Sequence, residues 1–310
     1  MRYAYLGPTG TFTEAALRQV TGPGDESVPM TDVTSALAAV RAGEADRAVV
    51  PIENSVEGGV SATLDALSSG VPLVLVGETL VRVEFVLAAR PGTKLDDIAR
   101  VATHPHAWAQ CRIWASENLP GVVHVPATST AAGAALLAQE DDPGFDAAIV
   151  APMTAADYEL ETLAENIGDN KNAVTRFVIA SRPGPIMERT GNDKTTLMVQ
   201  LPDNEAGALL TMLEQFAVRG VNLSRIESRP MGDEIGRYAF SIDAEGHIDD
   251  ERVNAALVGL HRVCPLVRFL GSYPRVGGTN SPARPGFTDR DFVAGREWVA
   301  RMREGMHLES

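Results

Sequence analysis

A chain of 310 residues has room for two or three domains. Hydrophobic residues make up 45% and charged residues 22%, the balance of a globular protein and not of a disordered or fibrous one. A net charge of -14 argues against nucleic acid as a partner, since phosphate binding needs a basic patch, but leaves open a local cluster for a small anion. Arg2 to Leu6 reads as a strand and Gly7-Pro8-Thr9-Gly10 as a turn. Thr11 or Thr13 can cap a helix running toward Val20. A helix over Ser35 to Ala42 stops at Gly43, and Arg47 to Ile52 is the next strand. Val60 to Ser69 is a helix closed by Gly70, followed by strands at Pro72 to Val76 and Glu84 to Ala89. A helix at Trp108 to Glu117, a strand at Val122 to Val125, a helix at Thr130 to Ala138 and a strand at Ala147 to Val150 continue the alternation. It predicts parallel α/β layers with a ligand cleft at the C-terminal ends of strands.

The turn-forming run Glu165 to Asn172 ends in the apolar strand Val174-Thr175-Arg176-Phe177-Val178-Ile179. Pro183 to Asn192 then reads as a linker. Beyond it come a strand at Thr195 to Leu201, a helix at Ala206 to Val218, strands at Asn222 to Glu227 and Tyr238 to Asp243, a helix at Asp249 to Leu260 and a strand at Leu266 to Leu270. That order, β-α-β-β-α-β, is the ferredoxin-like arrangement. Val276 to Pro285 reads as a second linker, and Asp289 to Met306 as a short amphipathic helix.

Cys111 and Cys264 lie far apart among apolar residues, so both read as core and neither as a disulfide or metal ligand. The N-terminus lacks a signal-peptide core and no stretch reaches membrane-helix length, so a cytoplasmic protein without a membrane partner is expected.

Six segments are candidates for chemistry. Thr175 and Arg176 stand where a loop meets a strand: an ordinary strand start with a surface Arg, or a hydroxyl beside a guanidinium fork for an anionic substrate. Glu53-Asn54-Ser55-Val56-Glu57-Gly58-Gly59 is either a capped turn or a polar strand end with glycines that let a ligand approach the backbone. The turn holding Thr9, and Thr128-Ser129-Thr130 before the next helix, repeat that logic, although one hydroxyl of the latter belongs to an N-cap. Thr103-His104-Pro105-His106 has two histidines but no acidic motif between them, so no metal is expected and His104 reads as a structural or a cleft-wall residue. In the second half, Asn204-Glu205-Ala206-Gly207-Ala208-Leu209-Leu210 and Asn222 to Pro230 could form an amino-acid site, or could simply cap and pack.

GPTGTFTEAA, VPIENSVEGG, THPHAWAQC, STAAGAALLA, LAENIGDNKNAVTRF, GALL and ESRP stand here in the order typical of one family. Through them residues 1 to about 275 resemble a monofunctional prephenate dehydratase. His106 stands where that family usually has Gln, and Trp108 where a smaller apolar residue is common. The resemblance begins at Met1, so no chorismate mutase segment is expected ahead of it.

The resemblance implies a two-lobed, periplasmic-binding-protein-like (type II) α/β catalytic domain over residues 1–182. A ferredoxin-like ACT regulatory domain would follow at 193–274, then a linker and short helix at 275–310. It implies decarboxylative dehydration of prephenate to phenylpyruvate, carbon dioxide and water without cofactor or metal, feedback inhibition by L-phenylalanine, and a homodimer or homotetramer. On that basis Thr175, Arg176 and Phe177 are the expected catalytic set, and Glu53, Asn54, Ser55, Ser129, Thr130 and Thr9 the expected substrate-binding set. Phenylalanine is expected at Gly207, Ala208, Leu209 and Leu210 together with Asn222, Leu223, Ser224, Glu227, Ser228, Arg229 and Pro230. Arogenate as substrate, or a non-catalytic amino-acid sensor, are the rival readings.

Overall fold

The computed structural model describes residues 1–202, 205–230 and 238–305. Asn204 of the expected amino-acid site and Met306 at the expected end of the last helix lie outside them. The chain divides into two compact units, residues 1–63 with 79–178, and residues 64–78 with 179–310. No helix among the described residues is long and apolar enough to cross a membrane.

The first unit begins with β1 (Arg2–Leu6), α1 (Phe12–Arg18), β2 (Glu26–Met30), α2 (Val33–Ala42), β3 (Arg47–Asn54) and the short β4 (Gly58–Gly59). Then follow α3 (Ser61–Ser68) and β5 (Val74–Arg82), both of which run on past the unit's limits. After these come β6 (Val86–Ala89), β7 (Arg100–Thr103), α4 (Pro105–Ala109), α5 (Arg112–Asn118), β8 (Val123–Pro126) and α6 (Thr130–Gln139). β9 (Ala147–Val150), α7 (Pro152–Asp157), β10 (Glu161–Ala164) and β11 (Val174–Ser181), which also runs on past the unit's limit, complete it.

One sheet has the order β2-β1-β3-β11-β5, with β4 paired to β3; the other has the order β10-β6-β9-β7-β8. The first is built on parallel β1–β2 and β1–β3 pairs, joined by α1 and α2 as crossovers. Asp32 caps α2 by accepting the Ser35 N–H at 2.7 Å, and Gly43 ends it in the left-handed region at φ 80°.

The second sheet departs from the parallel expectation. β7–β8 and β7–β9 are parallel, but β6 is antiparallel to β9 and to β10. Only three residues separate β5 from β6, too few for a crossover helix, so the chain passes straight into the second sheet. The helix expected over Trp108 to Glu117 is two helices. Pro105 starts α4 early, Cys111 leaves helical geometry at φ -122°, and the Asp169 carboxylate caps α5 by accepting from the Ile113 and Trp114 N–H groups at 3.1 Å. β2, β7, β10 and α7 were not expected. β2 carries Pro29 and is an edge strand, the place in a sheet where proline is tolerated.

The second unit contains β12 (Asp193–Gln200), α8 (Ala208–Ala217), β13 (Leu223–Pro230), β14 (Tyr238–Glu245), α9 (Glu251–Val263), β15 (Leu266–Pro274) and α10 (Asp289–Arg303). Its sheet is antiparallel in the order β13-β14-β12-β15, the ferredoxin-like topology. Leu197 and Val199 of β12 pack with Met212 and Phe216 of α8 and with Val253 and Leu260 of α9. The opposite face of β12 carries Lys194 and Thr196. Lys194 pairs with Glu78, and Thr196 donates to Asp243 at 2.7 Å.

Candidate active site

A cavity of about 460 Å³ lies within the first unit. The first sheet supplies Thr11 after β1, Thr31 after β2, Asn54 at the end of β3 with Glu57 just beyond it, and Thr175 at the start of β11. The second sheet supplies His104 before α4, His106 on it and Gln110 just after it, and Thr128, Ser129 and Thr130 at the start of α6. Val83 and Phe85, from the connector between the sheets, also line the cavity, as does Phe12, whose ring meets Phe85 edge-on at 5.6 Å. Most of these positions follow the C-terminal end of a strand, where α/β folds gather ligand groups.

Asn54 organises the first wall. Its Oδ1 accepts the Val56 and Glu57 N–H groups at 2.8 and 3.2 Å, so its amide can face only one way. Nδ2 then donates to Thr175 Oγ1 at 2.8 Å. The Thr175 hydroxyl, with an acceptor lone pair used, keeps its own proton to offer to a ligand. Ser55 fastens the same loop to β11: its N–H donates to the Val174 carbonyl and its Oγ accepts the Val174 N–H, both at 2.9 Å.

On the other wall, Ser129 is the N-cap of α6. Its Oγ accepts the Ala132 N–H at 2.9 Å, leaving the hydroxyl proton free to donate. Glu57 reaches from the first wall to the second. It lies 2.7 Å from His106 Nδ1 and accepts from Gln110 Nε2 at 3.3 Å. Burial, and next the neighbouring His106, hold the His104 imidazole below the usual histidine range.

Of the residues expected from the sequence, Asn54, Ser129, Thr130 and Thr175 line this cavity. Thr9, Glu53, Ser55, Arg176 and Phe177 do not. Successive residues of a strand point to opposite faces, so Arg176 turns away from Thr175; its Nη1 lies 3.5 Å from Glu53 Oε2. Phe177 is core, with 1% of its surface exposed. Thr9 faces Tyr5, whose hydroxyl lies 3.3 Å away and whose acidity burial weakens. Glu57, Gln110, Thr11, Thr13 and Thr31 joined the site without being anticipated. The signal for Glu57 was its place in the same strand-end loop as Asn54.

In the second unit Gly207 precedes α8 at φ 91°, with Ala208 half-buried and Leu209 and Leu210 exposed behind it. On β13, Ser224, Ser228 and Pro230 are exposed and Leu223 half-buried, and Asn222 just before the strand is exposed. Arg229 makes a two-point pair with Asp65 at 3.0 and 2.9 Å, and Glu227 lies 3.7 Å from Arg225.

Cys111 is fully buried, and burial, with Asp169 second, pushes its thiol up to about 12; burial also raises Cys264. Neither is a thiolate near neutral pH. A thiol-reactive probe at mildly alkaline pH is therefore expected to leave both unlabelled in the folded chain and to label both on denaturation. Rapid native-state labelling of Cys111 would show that the α4–α5 junction opens. Among the described residues no three His, Cys, Asp or Glu side chains gather as a metal site.

The family model described as prephenate dehydratase matches residues 3–185. A protein named prephenate dehydratase from Mycolicibacterium gilvum is 47% identical over 97% of this chain and 98% of its own length. The crystal structure of prephenate dehydratase from Arthrobacter aurescens in complex with L-Phe superposes with a TM-score of 0.92 at 55% identity, covering 98% of this chain and all of that one. A structure described as GqqA, a novel type of quorum quenching acylase, has a TM-score of 0.77 at 32% identity over 89% of this chain and 98% of that one.

Proposed function

Because the chain belongs to the prephenate dehydratase family, we propose that its cavity converts prephenate to phenylpyruvate, carbon dioxide and water, with Thr175 acting on the departing hydroxyl. The observation that carries the residue assignment is the Asn54 to Thr175 hydrogen bond, which fixes the threonine oxygen and leaves its proton available inside the cavity. In the reaction the ring–carboxylate bond breaks and its electron pair enters the ring. The ring C–O bond breaks at the opposite carbon, and the hydroxyl leaves as water after taking up one proton. A dianion becomes a monoanion and neutral carbon dioxide. A threonine hydroxyl is a weak acid, so Thr175 orients and relays that proton. Ser129, Thr130 and the α6 amides receive a carboxylate. Arg176 acts at one remove, bracing β11 against Glu53.

Prephenate incubated with the purified chain should give phenylpyruvate, read by its ultraviolet absorbance in alkali. Turnover of arogenate to phenylalanine and not of prephenate would move the substrate assignment. No turnover of either would favour a sensor. Acyl transfer has less support: it needs a nucleophile beside a base, and among the described residues no imidazole hydrogen-bonds a cavity hydroxyl.

Residues 1–182 form the catalytic domain in this reading, 193–274 an ACT regulatory domain, and 275–310 an appended linker and helix. L-Phenylalanine inhibits by binding at Gly207–Leu210 and the β13 segment of a cytoplasmic homodimer or homotetramer. The exposed Leu209 and Leu210 behind a left-handed glycine support that placement, as does the L-Phe complex of the Arthrobacter protein. Calorimetry should show phenylalanine binding weakened by Ser228→Ala and abolished by Gly207→Val. Unchanged binding in both would put the effector elsewhere.

A further inference from the structure

A cavity of about 390 Å³ in the second unit is lined by the segment ahead of β12, the start of α9 and the chain leading into α10. Its charged lining residues are Arg189, Arg252, Arg290, Asp250 and Asp289. Both aspartates are engaged. Arg189 lies 2.6 Å from Asp250 Oδ1 and 2.9 Å from Asp289 Oδ2. Asp250 also accepts the His247 N–H and Asp289 the Glu251 N–H, each at 2.9 Å. Arg252 is different. It is 9% exposed, yet among the described residues its guanidinium makes one long hydrogen bond, from Nη1 to the Gly220 carbonyl at 3.4 Å, and no ion pair. No Arg252 nitrogen is both sealed off and unbonded, so its spare donors open onto the cavity. A guanidinium stays charged, and taking it out of water without a counter-ion is costly. Its place adds to that cost. Arg252 stands in the first turn of α9, at the positive end of the helix dipole, and the Asp250 side chain does not cap that helix.

We propose that this cavity is an oxyanion site, in which the Arg252 fork receives the carboxylate or phosphate group of a small molecule and Arg290, exposed at the start of α10, adds a second positive charge. Two oxygens of either group match the paired donors of a guanidinium. The volume is that of a small-molecule pocket, so it also takes the organic part of such a ligand. A bound anion would tie the start of α10 to α9, beside the Arg296–Glu251 pair that already joins the two helices.

The test is calorimetric titration of the full chain with inorganic phosphate and with acetate, in chloride buffer at fixed ionic strength. Neither probe carries an amino-acid side chain, so the phenylalanine site proposed on β13 does not enter. The wild type should bind one of them saturably. Arg252→Met keeps the apolar stem and removes the fork, and should weaken that binding at least about tenfold, the scale of one lost charge-assisted hydrogen bond. Arg290→Gln, at an exposed position where folding is not at stake, should weaken it about threefold. In buffer free of both probes Arg252→Met should be no less stable than the wild type by its urea midpoint, because an uncompensated buried charge has been removed. Weaker binding in both variants bears the proposal out, and the tighter probe names the group. No saturable binding of either probe, or binding unchanged in the variants, overturns it. So does a marked drop in the Arg252→Met midpoint without anion, which would assign the arginine to packing. Should Arg252→Met not fold at all, the Arg290→Gln titration decides.

Discussion

Thr175→Val is expected to lower kcat on prephenate by about 10²-fold or more, the usual contribution of a placed proton donor. Valine keeps the branched shape at a position that is 9% exposed and removes only the hydroxyl. It also leaves Asn54 Nδ2 without its 2.8 Å partner, so a stability loss of about 1–3 kcal/mol should accompany the kinetic one. Thr175→Ser restores both the donor and the acceptor and should recover most of the rate. Comparing kcat and denaturation midpoints across the two variants separates chemistry from folding. A folded Thr175→Val enzyme with near-normal kcat removes the hydroxyl from the mechanism.

Glu78→Ala should destabilise the chain by about 3–5 kcal/mol, read as a drop in the urea midpoint. The Lys194 ammonium pairs with both Glu78 oxygens at 3.1 and 2.9 Å, and the two side chains are 8% and 1% exposed. Glu78 also accepts the Val276 N–H at 2.9 Å. Removing the carboxylate takes two charge-assisted hydrogen bonds from the buried Lys194 ammonium and the acceptor from the Val276 N–H. Replacing both residues, Glu78→Leu with Lys194→Met, removes the buried charge together with its counter-charge and should cost much less than the single change. A single variant as stable as the wild type would show that water already reaches Lys194.

What could be read from the sequence followed the reach of the physics involved. The ferredoxin-like half was legible because its strand and helix periods, and Gly220 after α8, are local signals. Asn54 and Thr175 could each be placed at a strand end, but their hydrogen bond joins positions 121 apart in sequence. The break between α4 and α5 was not legible, because the carboxylate that starts α5 comes from Asp169. The mixed second sheet was hidden for a similar reason: strand direction depends on which strand arrives beside β6, and that is β9 and β10. The direction of Arg176 could have been read. Adjacency in a strand places two side chains on opposite faces, so a hydroxyl and a guanidinium at 175 and 176 cannot both serve one pocket.

The walls of this cavity present hydroxyls, amides and imidazoles where many anion sites place a lysine or arginine. The departing carboxylate becomes a neutral gas during the proposed reaction. Had a fixed cation held it, that cation would be left facing an uncharged molecule at the moment the bond broke, and the barrier would carry the penalty. Dipoles that also hydrogen-bond water suffer no such orphaning, so the cradle that receives the carboxylate can let it go as carbon dioxide.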